Sequence, residues 1–74
     1  MKPLYEVWQA LSGSQAPNGE YQCWGACWEG NVLVQLPIVE ARAYARELAR
    51  VSKLPTEVRN KHHRVKAVFG QEVA

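Results

Sequence analysis

Leu36-Pro37-Ile38-Val39-Glu40-Ala41-Arg42-Ala43-Tyr44-Ala45-Arg46-Glu47-Leu48-Ala49-Arg50-Val51-Ser52-Lys53 is the one segment of this chain with a clear helical period. At about 100° per residue, Ala41, Tyr44, Ala45, Leu48, Val51 and Ser52 share one face, the face expected to be buried. Arg42, Arg46, Arg50 and Lys53 fall on a neighbouring face, and Glu40 and Glu47 on the opposite flank. Pro37 suits a first helical turn, where its missing N–H costs nothing. Glu40 lies near the positive end of the helix and Lys53 near the negative end, both favourable. Pro55 closes the segment. Leu36 offers no side-chain acceptor, so packing rather than capping must hold this helix.

The residues before the helix read as strands. Leu4 to Leu11 is rich in strand formers. Residues 12–19, Ser-Gly-Ser-Gln-Ala-Pro-Asn-Gly, collect turn-forming types into a loop. Tyr21 to Trp28 reads as a second strand and Val32 to Leu36 as a third, joined by the tight turn Glu29-Gly30-Asn31. After the helix, Leu54-Pro55-Thr56 is a linker, and Glu57 to Lys61 admits one helical turn capped by Thr56. His62 to Phe69 reads as a fourth strand, with Val65, Ala67 and Phe69 on one face and Arg64, Lys66 and Val68 on the other. The expectation is an α+β domain over residues 1–74, ordered β-β-β-α-β. One helix lies across a mainly antiparallel sheet of about four strands.

Strand alternation assigns the faces. The turn pairs odd positions of the second strand with even positions of the third. Cys23, Gly25 and Cys27 then share a small aliphatic face with Val32, Val34 and Leu36, suited to lie under a helix. Trp24, Ala26 and Trp28 share the other face with Leu33 and Gln35. If Trp8 pairs near Trp24, three tryptophans line the sheet face away from the helix. The alternative is that the faces are reversed and the tryptophans are core. An exposed tryptophan face marks binding or self-association, including a homodimer.

Composition bounds the function. Seventy-four residues make one small domain, which buries only about 60–65% of its unfolded surface. The formal charge of +2 is unevenly spread. Residues 1–36 sum to −2 and residues 37–66 to +5, so a basic module follows a mildly acidic aromatic one. No run of about 18 apolar residues suggests a membrane span. The N-terminus lacks a basic-then-apolar leader pattern, so an intracellular, cytoplasmic location is expected.

Chemistry finds little purchase. On a strand, Cys23 and Cys27 stand about 13 Å apart, too far for a disulfide or for one tetrahedral zinc. Two small buried thiols in a reducing compartment are expected. His62 and His63 on a strand point to opposite faces. Asp is absent, the Glu residues are scattered, and no phosphate loop or nucleophile motif occurs. No catalysis, metal or cofactor is expected. The arginine stripe is more informative. Arg42, Arg46 and Arg50 are spaced i, i+4, i+8, which costs a few tenths of a kcal/mol per like-charged pair. Glu47 reaches only Arg50. The stripe reads either as a solvated face whose stems cover apolar surface or as a docking surface for phosphates or an acidic protein. Arg59, Lys61, Arg64 and Lys66 extend it. The candidate partner-binding residues are therefore Arg42, Arg46, Arg50, Lys53, Arg64, Lys66, Trp8, Trp24 and Trp28.

Gly30-Asn31-Val32 through Leu36-Pro37-Ile38-Val39-Glu40-Ala41-Arg42-Ala43-Tyr44-Ala45 resembles the three-stranded-sheet-plus-helix DNA-binding domains of phage integrases and AP2-type factors, over about half the chain. There a strand ends shortly before a Glu-Ala-x-x-x-Ala helix. The resemblance implies DNA readout by basic residues on the open sheet face. In this sequence that face carries Glu6, Gln22, Gln35 and tryptophans, with no Arg. In size, element order and charge the whole chain is also similar to small phage-encoded accessory proteins, including some anti-CRISPR proteins. That likeness implies a binding protein without chemistry of its own, acting on a host nucleic-acid-handling complex. A macromolecular protein partner is the leading expectation, and direct nucleic-acid binding through the basic half the runner-up.

Overall fold

The strand formers Tyr5–Ala10 become β1, and the rest of the sheet assembles around it. In the computed structural model, which describes residues 2–70, the elements that follow are β2 (Trp24–Ala26), β3 (Trp28–Glu29), β4 (Val32–Leu33), β5 (Gln35–Leu36), α1 (Ile38–Ser52), β6 (Thr56–Arg59) and β7 (Val65–Phe69). The architecture is α+β, with one helix on antiparallel sheet. The main sheet runs β2-β1-β6-β7, and β5 also pairs with β1.

Two of the expected strands are broken, and for one reason. Trp8 pairs with Ala26 and Ala10 with Trp24, while Tyr5 pairs with Leu36 and Glu6 with Gln35. β2 and β5 thus form one interrupted strand along the same side of β1. Residues 27–34 leave that line as a hairpin, with Trp28 opposite Leu33 and Glu29 opposite Val32. The Val34 amide donates to the Cys27 carbonyl at 3.0 Å and closes its neck, and the Cys27 amide donates to the Val7 carbonyl at 2.8 Å. Gly30, at φ 60°, makes the tip turn. The expected odd-with-even register therefore holds inside the hairpin, but Cys23 stands outside any strand and is exposed rather than buried.

Beyond the helix, the helical turn admitted at Glu57 to Lys61 does not form: Glu57 to Arg59 belong to β6, and Asn60 and Lys61 to the turn that follows. β6 pairs with β1 on one side and β7 on the other. Val58 is fully buried there, between strands, and that tertiary gain outweighs a marginal local helix. Asn60 to Arg64 form the β6–β7 turn. The Asn60 side-chain oxygen accepts from the amides of His62 at 2.9 Å and Arg64 at 3.0 Å. The two histidines therefore sit in a turn, not on a strand.

The core lies between α1 and the sheet: Val7, Val34, Val58, Ala41 and Ala45, with Tyr5, Cys27, Leu36, Ile38, Tyr44, Leu48, Ala67 and Phe69 packed around them. The buried helix stripe is Ala41, Ala45 and Ala49, flanked by Tyr44 and Leu48. Val51, expected on that face, is 65% exposed. Small alanines let the backbone of the helix approach the sheet closely, and that rotates the buried centre from Leu48 toward Ala45. Pro37, rather than Leu36, is the cap residue and is not part of the first turn, and no side chain caps the helix. Lys53 ends the helix in the left-handed region at φ 61°, its amide bonded to the Ala49 carbonyl.

Candidate functional site

The sheet face opposite the helix is the candidate site, and register builds it. The Gln9 side chain donates to the Ser52 hydroxyl at 2.6 Å, which places Gln9 and Val7 on the helix side. Glu6 and Trp8, between and beside them, point away. Trp8 lies opposite Ala26 on one neighbour and opposite Glu57 on the other, and Glu6 lies opposite Arg59. Trp24 and Ala26 share this face. Trp28 follows Cys27, which packs in the core, so it also points away from the helix, beside Leu33. The three tryptophans therefore do line the open face. Trp8 and Trp24 are half-buried, and Trp28 is 59% exposed on the hairpin.

The expectation of a face without arginine is corrected. With β6 inserted in the sheet, Arg59 occupies this face. Its guanidinium carbon lies 4.5 Å from the Trp8 ring centre and 5.8 Å from that of Trp24. It pairs with Glu57 at 2.8 Å, both side chains largely covered at 18% and 13% exposure. The Trp8 indole N–H donates to Glu6 at 3.0 Å, and the Trp24 indole N–H to the Tyr21 carbonyl at 3.3 Å. His63, at φ 62° in the turn, meets Trp8 edge-on with centroids 5.9 Å apart. Arg59 is the residue of this candidate site that sequence reasoning assigned elsewhere. The signal available was Glu57-Val58-Arg59, whose alternation fits a strand as well as a turn.

The basic residues gather elsewhere. Arg50 pairs with Glu47 at helix spacing, as expected, and both are exposed. That pair holds the Glu47 carboxyl below its usual range, through the Arg50 hydrogen bond first. Arg50 is thereby removed from the stripe, and Lys53 is turned out of the helix by its left-handed backbone. Arg46 stacks over Phe69 at 5.4 Å and so overhangs β7, and Arg42 lies one helical turn before it in α1. Arg64 and Lys66 are exposed at and beside that strand. Arg59 does not extend this group, because it lies on the other face. A register shift at Val58/Arg59 places Val65 opposite Arg59, so Val65 leaves the Ala67 and Phe69 face it was expected to share. Among the described residues, no carboxylate lies within ion-pair distance of Arg42, Arg46, Arg64 or Lys66.

An open cleft of about 410 Å³ separates the hairpin from the helix, lined by Glu29, residues 32–36 and Tyr44. Burial first, then Cys27 and Glu29, pushes the Tyr44 hydroxyl above its ordinary range. Burial also raises the Cys27 thiol. Among the described residues, no group of three His, Cys or Glu side chains is placed to share a metal ion, and no helix is long and apolar enough to cross a membrane. Comparison with protein-family models, curated proteins and solved structures finds no match to this chain.

Proposed function

We propose that this chain is a non-enzymatic binding protein that docks on a protein partner through its open sheet face, in the manner of small phage-type inhibitors. The observation that supports this reading is the Trp8–Arg59–Trp24 stack continued by the exposed Trp28. Tryptophan and arginine dominate the energetics of protein interfaces when held rigidly. Here the polar groups of the stack are already satisfied by Glu6, Glu57 and the Tyr21 carbonyl, so a partner meets flat aromatic surface at little desolvation cost. The same pairing disfavours nucleic acid on this face. Arg59 is neutralised by Glu57, and Glu6 adds a negative charge beside it.

The test is affinity capture from a host lysate with and without nuclease, using wild type, Trp28→Ala and Arg46→Glu. A captured complex that survives nuclease and is lost in folded Trp28→Ala supports the reading. Capture that needs nucleic acid, or binding to random DNA at about 0.15 M salt that Arg46→Glu abolishes, overturns it in favour of nucleic-acid binding by the basic half. A concentration-dependent dimer broken by Trp28→Ala assigns the face to self-association instead.

A further inference from the structure

We infer that the outer edge of β7 accepts an extended protein segment of alternating acidic and apolar residues, which adds to the sheet as a further strand. This site is the strand edge beyond the tryptophan cluster, with Val68 on the same side of the sheet as Glu57. Three observations carry it.

The first is backbone polarity. β7 ends the strand order, so one of its edges is unpaired among the described residues. The Val7 carbonyl accepts from Cys27, on the side away from β6. Val7 and Val58 are therefore a non-hydrogen-bonded pair, and Val58 turns its backbone groups to β7. Its neighbour Glu57 turns its own toward β1. Val68, opposite Glu57, is left with its N–H and C=O directed outward. A ladder of such groups is a template for another strand.

The second is charge and spacing. α1 starts beside the Tyr5 end of β1 and reaches Gln9 at Ser52, so it runs in the direction of β1. β6 is antiparallel to β1 and β7 antiparallel to β6, so helix and β7 run the same way. Arg46 stands over Phe69, and Arg42, four residues earlier in α1, falls one turn back on the same helix face. Four helical residues rise about 6 Å, and two strand residues span about 6.6 Å. Carboxylates at i and i+2 of an incoming strand thus meet Arg42 and Arg46 in turn. The intervening residue faces the other way, toward the side chain of Val68, which is 41% exposed. An acidic–apolar alternation follows directly.

The third is the exclusion of a second copy. Two β7 edges brought together would juxtapose Arg42, Arg46, Arg64 and Lys66 of both chains, a self-repulsive arrangement.

The probe is a fluorescent peptide of about seven alternating Glu and Val residues, the length of an ordinary strand. Controls are its Lys–Val counterpart, a copy with alternate backbone nitrogens methylated, and a single-stranded oligonucleotide. The Glu–Val peptide should bind saturably and slow amide exchange at Val68. Affinity should fall at least about tenfold in Arg46→Glu through like-charge juxtaposition. It should fall comparably in Val68→Pro, which removes an outward N–H that an edge strand can spare. Should Val68→Pro fail to fold, the methylated peptide reads the same backbone requirement on wild type. Equal binding of the methylated peptide, or no binding of the Glu–Val peptide, overturns the inference. Tighter binding of the oligonucleotide assigns the edge to nucleic acid, and a wild-type dimer broken by edge substitution assigns it to a second copy; either result also overturns it.

Discussion

Arg59 stacks its guanidinium over the Trp8 ring at 4.5 Å, on the face of the sheet that no helix covers. The two residues lie on adjacent strands, β6 and β1, and are two positions out of direct register, since Arg59 pairs with Glu6 and Glu57 with Trp8. The diagonal lets one arginine reach the Trp8 ring, the Trp24 ring and the Glu57 carboxylate at once. The pair therefore fixes the shape of the proposed binding face as well as holding two strands together.

Arg59→Ala should destabilise the fold by about 1–3 kcal/mol, because it removes the stack and leaves the covered Glu57 carboxylate without its partner. Arg59→Lys should recover only part of this, since an ammonium neither stacks flat nor forks onto a carboxylate. Urea unfolding measures both. An unchanged midpoint for Arg59→Ala would show that the cluster is solvated in solution.

The alanine stripe predicts an inverted helix scan. Ala45 is fully buried against the sheet, so Ala45→Leu should cost about 1–3 kcal/mol by overpacking. Val51 is exposed, so Val51→Ala should change stability by no more than about 0.5 kcal/mol. Thermal melts of the two variants decide it. A larger loss at Val51 than at Ala45 would restore the buried face that periodicity alone suggests.

Gly70 follows β7 at φ 78°, and a methyl group there would meet the Ala49 Cβ at 3.0 Å and the Leu54 carbonyl at 3.2 Å. Gly70→Ala is expected to cost at least about 1–2 kcal/mol from backbone conformation alone. Chemical denaturation should show it as an earlier midpoint, and wild-type stability in this variant would contradict the close approach of β7 to the helix end.

The two thiols should separate by reactivity. Cys23 is exposed, whereas burial raises the pKa of Cys27. The thiolate is the reactive form, so at mildly alkaline pH iodoacetamide should label Cys23 first. The shift also has a sign for stability. A thiol held protonated by the fold contributes fully below its unfolded pKa of about 8.5, and the contribution is lost as pH rises through the higher folded value. Tyr44 is shifted in the same sense. Peptide mapping after timed labelling checks the order, and faster labelling of Cys27 would mean that the hairpin neck opens readily.

By itself, the sequence determined the helix, its poor cap, the first strand, the 29–31 turn and the α+β class. Each rests on local periodicity or turn chemistry, which a short window contains. It also determined that Trp8, Trp24 and Trp28 fall on one side once their strands are paired, because side-chain alternation is a property of any strand. Only the tertiary structure decided which side the helix covers. The small residues Ala41, Ala45 and Ala49 lie against the Val7 and Val58 face, and the bulky tryptophans do not fit beneath so close a helix. Tertiary structure alone also made a strand of Thr56–Arg59, since its worth comes from burial between β1 and β7, partners about fifty and ten residues away in the chain. That choice moved Arg59 from the basic group to the tryptophan face and left Arg46 over Phe69 of an open edge strand. Contacts between residues distant in sequence carry no local signature, and here they settled where the charges stand.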